Sequence, residues 1–316
     1  MTKLERIILR SFPISFLIRS SKKWIIPGFN GHSFYNVADR FLKQIKKIGL
    51  YERAAAISFN LVMALPAGVL FLFSLIPLFP ESDDFQTEIL SLFKDIAPNS
   101  GTYKFLLSIV NDLLKNQHIG VFSFGFLLLI FYSSNAMIGI IRTFDKSIKE
   151  HQGVFLHRRI KAIRLTFILM IMILLTAAAL FLGKDQLLYV FKKVFHKKYD
   201  TRIVWWGWVR WCIIVTLLFY GIAVIYKFGP SVNKRWKFLT PGSITAAVLT
   251  MATTILFSYW VNNFASYNKV YGSIGFVLIM MLLIYFNSLI LLIGFEINVS
   301  ITYLTREREQ QMAAKE

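Results

Sequence analysis

Cysteine is almost absent from this chain of 316 residues, because Cys212 is the only one. A single cysteine forms no intramolecular disulfide and no cysteine-based metal site. The five histidines show none of the His-x-His or His-Glu-x-x-His spacings that bind metals. A Walker loop, a dinucleotide-binding fingerprint and a Gly-x-Ser-x-Gly elbow are also missing. We therefore expect no enzyme, no cofactor and no ATP-driven pump built from this chain alone.

Acidic residues are scarce as well. The chain has 17 Asp and Glu against 36 Lys and Arg, which gives a net charge of +19. Most of the basic residues lie beside long apolar blocks, where positive charge fixes topology and meets anionic headgroups. Membrane lipids, anionic ones above all, are therefore the predicted partners, and the charge needs no nucleic acid to explain it.

Apolar residues make up 56% of the chain, and they are concentrated in six blocks. A helix needs about 20 apolar residues to cross a hydrocarbon core of about 30 Å. The blocks predict an all-α, polytopic integral membrane protein with six transmembrane helices. The predicted spans are residues 54–79, 119–141, 165–182, 203–226, 241–264 and 273–297.

The basic residues also predict the orientation of these spans. Lys and Arg number 25 in the segments on one side and 10 on the other. The positive-inside rule then places both termini in the cytoplasm. The segment 183–203 disagrees with this assignment, because it holds six basic residues on the side predicted to be outside. If that segment is cytoplasmic, the span count is wrong.

Three regions follow from this topology. Residues 1–53 form a cytoplasmic and interfacial N-terminal region, 54–302 the transmembrane domain, and 303–316 a cytoplasmic polar tail that is expected to fray. An amphipathic helix over 33–50 fits either the membrane surface or a place packed against the protein itself.

Two outer segments carry further predictions. Residues 80–118 contain two short amphipathic patterns around a turn, which predicts an extracytoplasmic helical hairpin. Residues 267–275 join the last two spans, so we predict a tight outer turn there.

Polar residues inside the spans or directly beside them are the candidate functional residues. Glu296 is the only acidic residue in a predicted span. Such a residue marks either a transport or gating site or a structural pair. Pro66 frees a backbone carbonyl in the middle of the first span. Polar groups on two faces predict that the sixth span is central. The candidates for substrate binding or gating are Arg53, Asn60, Pro66, Asn135, Arg142, Tyr267, Asn268, Tyr271, Asn287, Glu296 and Asn298.

The C-terminal third carries a family resemblance. It contains the runs Tyr226-Lys227-Phe228-Gly229-Pro230, Pro241-Gly242-Ser243, Asn262-Asn263-Phe264-Ala265-Ser266-Tyr267-Asn268, Tyr271-Gly272-Ser273-Ile274-Gly275 and Gly294-Phe295-Glu296-Ile297-Asn298. Together with Arg53-Ala54-Ala55-Ala56-Ile57-Ser58-Phe59, these resemble the YihY/BrkB family of bacterial inner-membrane proteins over about residues 35–300. Phe295 stands where a small residue is usual in that family.

The resemblance implies a multi-pass protein of the bacterial inner membrane. Some members are associated with export of lipid-linked envelope precursors, and the family has also been labelled ribonuclease BN. Our first hypothesis is a transporter or flippase of an amphipathic envelope lipid or lipid-linked precursor. The alternative is a non-transporting scaffold for envelope assembly. A membrane ribonuclease is disfavoured, because the histidine cluster that metal-dependent hydrolysis needs is missing.

Overall fold

A computed structural model describes residues 20–75, 119–148, 155–195, 204–231, 236–263 and 266–314. Within these ranges the chain is helical apart from short connections and a single β-bridge between Ile25 and Ser33. We number the long helices of these ranges α1 Phe34–Ile48, α2 Leu50–Leu75, α3 Ile119–Ser147, α4 Phe155–Phe195, α5 Val204–Phe228, α6 Pro241–Asn263 and α7 Ser266–Ala313.

The all-helical prediction is confirmed, and each predicted span overlaps one helix from α2 to α7. In the described residues, four stretches are long and apolar enough to cross a membrane. They are Phe124–Ser147, Trp208–Phe228, Pro241–Trp260 and Val277–Ala313. A fifth is obtained if α1 and α2, which meet at an angle of 71°, are taken together as one bent span.

Helices α2 to α7 form a closed ring. Going round it, α2 packs against α3, α3 against α4, α4 against α5, α5 against α6, α6 against α7, and α7 against α2. Helix α7 also contacts α3 across the ring and α1 outside it, so the prediction that the sixth span is central agrees with its packing. The main apolar core draws on all six ring helices and includes Ile57, Ile141, Leu165, Val224 and Leu292.

Local sequence explains where several helices begin and end. The Ser33 hydroxyl accepts from the Asn36 amide and caps α1, and Gly49 ends that helix with a φ of 65°. Thr240 caps α6 in the same way, accepting from the Ser243 amide at 3.2 Å, and Pro241 takes the first helical position. Helix α5 ends at Phe228, just before Gly229 and Pro230, because proline cannot continue the helical hydrogen bonding.

Helix α1 lies along the C-terminal part of α7. Val37 is buried against Ile301, and Arg40 Nη2 lies 2.9 Å from Glu307 Oε1. Between the two interpretations of segment 33–50, this packing supports the one in which the helix contacts the protein itself. It also places the start of α1 and the end of α7 at the same end of the bundle.

Three sequence predictions about helix limits are wrong. Helix α7 continues to Ala313, so the tail predicted to fray is helical. Helix α4 continues to Phe195, so much of the predicted 183–203 loop is helical. Helix α7 begins at Ser266, so residues 267–275 form a helix rather than a tight turn. Hydropathy marks where apolar residues stop, whereas Arg, Lys, Glu and Gln favour helix and carry it into water. Glycine is likewise common in transmembrane helices. The predicted hairpin at 80–118 lies outside the described residues.

Candidate functional site

Glu296 lies in the interior of the bundle on α7, with only 1% of its surface exposed. Glu296 lies near the start of α2 and the end of α3, which meet at the same end of the ring. An ionised carboxylate in such a place costs several kcal/mol unless hydrogen bonds or a cation compensate for it. The groups around Glu296 therefore decide what this site can do.

Ser147, at the end of α3, links Glu296 to Arg53 on α2. The Ser147 hydroxyl donates to Glu296 Oε1. Arg53 Nη1 donates to Ser147 Oγ at 3.2 Å and lies 3.4 Å from the Thr143 carbonyl oxygen. The Ser147 hydroxyl therefore stands between the Arg53 guanidinium and the Glu296 carboxylate and separates the two charges.

Two further side chains enclose this cluster. Gln44 of α1 approaches the Glu296 carboxylate, and the Tyr303 hydroxyl donates to the Ser147 carbonyl at 3.3 Å. The second carboxylate oxygen of Glu296, Oε2, is buried and has no hydrogen-bond partner among the described residues. Four helices thus contribute to one polar site that is incompletely satisfied. We call Gln44, Arg53, Ser147, Glu296 and Tyr303 the polar cluster.

An aromatic stack lies beside the polar cluster. The rings of Phe144 and Phe295 are parallel, with centroids 3.6 Å apart. Tyr226 and Trp236 contact Phe295 at centroid distances of 5.9 and 5.3 Å. The Tyr226 hydroxyl donates to the Leu291 carbonyl at 2.6 Å. The bulky residue at 295 therefore fills the space between α3, α5 and α7, which makes the surroundings of Glu296 apolar on that side.

A second buried polar network joins α3, α4 and the end of α5. Asp145, which is 5% exposed, accepts from the Ser231 amide at 2.8 Å and lies 3.2 Å from Arg158 Nε. Lys161 Nζ contacts Ser231 Oγ at 3.1 Å. Both carboxylate oxygens of Asp145 have partners, because the Ser231 hydroxyl lies 3.3 Å from Oδ2. The Asp145 carboxylate is thus paired on both oxygens and holds α3, α4 and the end of α5 together as a structural clamp.

Asn298 also has a structural role, at the crossing of α6 and α7. Its side-chain oxygen accepts from the Gly242 amide at 2.9 Å, and its amide donates to Thr240 Oγ1 at 2.9 Å. The backbones approach so closely that a Cβ on Gly242 would lie 2.0 Å from the Gly294 carbonyl oxygen. Small residues that permit such close crossings are typical of membrane helix interfaces.

Four other predicted site residues lie away from the polar cluster. Asn60 donates to the Ala56 carbonyl of its own helix at 2.8 Å, and Pro66 is exposed within a continuous α2. Asn135 accepts from Arg159 of α4, and Arg142 is exposed. From the predicted set, the structure therefore brings Arg53 and Glu296 together.

The remaining predicted residues lie further along α7. Asn287 is half-buried, and its Oδ1 has no partner among the described residues. Tyr267, Asn268 and Tyr271 belong to the first turns of α7, but their side chains lie outside the described part of the structure. Their role at an outer rim stays a prediction.

Sequence reasoning missed Ser147, Gln44 and Tyr303. Serine, glutamine and tyrosine near the end of a span are too common to be singled out without knowing which helices meet. Asp145 could have been found, since it is an acidic residue only four positions beyond the predicted second span and close to Arg158. Its partner Ser231 lies on another helix end, which no spacing rule connects to it.

The matched family model agrees with this architecture. It is described as virulence factor BrkB and matches residues 41–316. The chain belongs to this family. The matched range begins within α1 and includes every helix of the ring.

Curated relatives point the same way. The chain is 26% identical over 263 residues to the ribonuclease-like protein YfkH of Bacillus subtilis, a match that covers 82% of this chain and 94% of that protein. It is 30% identical over 81 residues to a UPF0761 membrane protein of Tolumonas auensis, covering 26% and 27% of the two chains. A similar protein of Psychromonas ingrahamii is 29% identical over 104 residues, covering 33% and 35%. No solved structure matches the chain.

One relative has a ribonuclease-like name, and a ribonuclease that depends on a metal would need particular side chains. Metal-dependent hydrolysis of RNA needs ligands that hold a metal ion and activate water. Among the residues that the structure describes, no three His, Cys, Asp or Glu side chains are grouped so that they could hold one. The polar cluster offers a single carboxylate beside an arginine, which is a poor cation site.

Proposed function

We propose that this protein moves an amphipathic envelope lipid or lipid-linked precursor across the bacterial inner membrane. The observation that supports this most is a set of unsatisfied polar atoms on two faces of α7. Asn287 Oδ1, Ser288 Oγ and Glu296 Oε2 are all buried without a hydrogen-bond partner in the described structure. Buried polar atoms are nearly always paired, so each exception calls for an explanation.

A polar path along one side of α7 provides that explanation for two of them. Ser288 and Glu296 lie toward the same side of the helix, about 12 Å apart along it at 1.5 Å per residue, whereas Asn287 lies on the opposite side. Ionisable and polar groups inside transmembrane helices typically mark substrate or ion pathways. A polar headgroup that passes along the Ser288 and Glu296 side of α7 would supply the hydrogen bonds that these two residues lack in the packed state. A purely structural role would be served better by apolar residues of similar size.

The ring also offers a place for an apolar chain. An open groove of about 570 Å³ lies between α4 and α5. Its volume falls within the range of about 300–1,000 Å³ that is usual for ligand sites. The groove is lined mainly by apolar side chains: Met172, Leu175, Thr176, Trp208, Val209, Cys212, Ile213, Thr216, Leu217 and Tyr220.

The proposed topology has six spans with both termini in the cytoplasm. Two features support it: each predicted span overlaps a helix of the ring, and basic residues prevail at the end of the bundle where α1 meets α7. In this orientation the polar cluster lies near the cytoplasmic boundary, where a headgroup would enter.

Reconstitution into vesicles tests the proposal. Vesicles that contain fluorescent phospholipid in both leaflets are treated with dithionite, which bleaches only the outer leaflet unless lipid crosses. Wild type should allow bleaching beyond the outer half. Glu296→Gln keeps the shape but removes the charge, and it should slow crossing about tenfold, which corresponds to about 1.4 kcal/mol of barrier.

The matched control is Glu309→Gln, which removes an exposed carboxylate from the same helix. This variant should allow lipid to cross the bilayer at the wild-type rate. If wild-type vesicles bleach no further than protein-free vesicles with any envelope lipid tested, the transport proposal is wrong. Stable co-purifying envelope enzymes together with that result would favour the scaffold.

A further inference from the structure

Residues 24–34 form a compact loop with a defined backbone. The Phe34 amide donates to the Trp24 carbonyl at 2.8 Å, and a β-bridge joins Ile25 to Ser33. Gly28 and Gly31 have φ values of 90° and 80°, in the region that favours glycine. These constraints fix which side chains of the loop face the protein and which face outward.

The inner side of the loop is fastened to the bundle. Phe29 is buried against Val37 and Ile301. Gly28 lies so close to α6 that a Cβ there would be 2.8 Å from Pro241 Cγ. Because Pro241 begins a candidate membrane span, this contact holds the loop at the level of the membrane boundary.

The outer side of the loop is apolar and basic. Trp24 and Ile25 are each 65% exposed. On a protein surface in water, exposed large apolar side chains are usually scattered singly, whereas these two are adjacent. They follow directly after Lys22 and Lys23, which are also exposed. Burial and nearby Arg308 lower the pKa of His32, so the positive charge at the start of this loop near pH 7 comes from Lys22 and Lys23.

A second exposed pair lies on the connection that leads into Pro241. Leu239 is 71% exposed, and Lys237 is exposed two residues before it. Both sets of side chains therefore stand at the level where α6 begins. Tryptophan is favoured at headgroup depth, and each lysine near an anionic surface contributes about 1 kcal/mol of attraction.

We infer that residues 22–25, together with Lys237 and Leu239, form a lipid-surface anchor that rests in the headgroup layer of an anionic leaflet. The occupant is anionic phospholipid, because the surface combines lysines with an aromatic ring and aliphatic side chains. Helix α1 packs Val37 and Ile45 inward against the protein, so part of its apolar face is not available to lipid. The anchor does not depend on lipid transport. Its effect is to hold α1 and the polar cluster at a fixed depth.

The single native cysteine makes a direct test possible. In a Cys212→Ser background, Ile25→Cys is labelled with the environment-sensitive fluorophore NBD and the full-length protein is reconstituted. One set of vesicles contains phosphatidylcholine alone, and another also contains phosphatidylglycerol. Quenching by iodide on both sides of the membrane reports water exposure, and quenching by a nitroxide-bearing phospholipid reports contact with the bilayer.

The anchor predicts a blue-shifted NBD emission, several-fold weaker iodide quenching than at a water-exposed site, and strong nitroxide quenching. These changes should be larger with phosphatidylglycerol and should shrink when Lys22 and Lys23 are both changed to Gln. Glu309→Cys, labelled in the same background, is the water-exposed control. Strong iodide quenching at residue 25 in both lipid mixtures overturns the inference, as does a label shielded from both quenchers.

Discussion

Replacing Gly242 with alanine should separate α6 from α7 at their closest approach. The new Cβ would lie 2.0 Å from the Gly294 carbonyl oxygen and 2.6 Å from Asn298 Cγ. The first of these atoms belongs to the backbone, so no rotation of a side chain relieves the overlap. The helices must move apart, and the hydrogen bond from the Gly242 amide to Asn298 would be strained or lost.

The size of the effect follows from these two losses. Overpacking a close contact costs about 1–3 kcal/mol, and a lost hydrogen bond costs about 1 kcal/mol. We expect Gly242→Ala to lower the free energy of unfolding by about 2–4 kcal/mol. The midpoint of thermal unfolding should then fall by roughly 3–6 °C. Thermal unfolding of the purified protein in lipid nanodiscs measures this change.

Gly221→Ala is the matched control, because it makes the same substitution in the apolar part of α5. A Cβ at Gly221 would lie 3.9 Å from Leu169 Cδ2, an ordinary contact. Alanine also favours helix over glycine, so this variant should be as stable as wild type or slightly more stable. Equal melting midpoints for Gly242→Ala and Gly221→Ala would refute the close crossing of α6 and α7.

Two further predictions concern the buried clamp and the topology. Asp145→Asn should destabilise the protein by about 3–5 kcal/mol, because it leaves Arg158 buried without its carboxylate. The control is Asp39→Asn, which breaks only the exposed pair with Lys43 and should destabilise the protein by less than about 1 kcal/mol. If thermal unfolding shows a similar loss of stability for the two variants, Asp145 does not act as a structural clamp. A reporter fused after Lys198 should be extracytoplasmic and one fused after Lys234 cytoplasmic. Cytoplasmic reporting from the fusion at Lys198 would disprove the six-span topology.

The sequence was sufficient for features that depend on local chemistry. Apolar blocks of membrane-spanning length located all six ring helices. The predicted span limits at residues 226 and 241 lie within two residues of the end of α5 at Phe228 and the start of α6 at Pro241. Each of these depends on a few adjacent residues, so no knowledge of helix neighbours was needed.

Features that depend on which helices meet were not predictable in the same way. Arg53 and Glu296 were both candidates, but nothing in their spacing indicated that Ser147 stands between them. Asn135 and Asn298 resembled site residues because an amide inside a span is unusual. In the structure one pairs with Arg159 and the other joins α6 to α7. A polar residue in a span can form hydrogen bonds with a neighbouring helix or with a substrate, and only its partners distinguish these roles.

We propose that the polar cluster acts as one unit in lipid transport. The most direct measurement is the rate of lipid crossing for wild type, Ser147→Ala, Glu296→Gln and the double variant, in vesicles with matched protein content. Groups that act together give non-additive losses. Because Ser147 acts through Glu296, each single variant should slow crossing and the double variant should be no slower than Glu296→Gln alone. Wild-type rates in both single variants, or losses that multiply in the double variant, would show that the polar cluster does not act as one unit in transport.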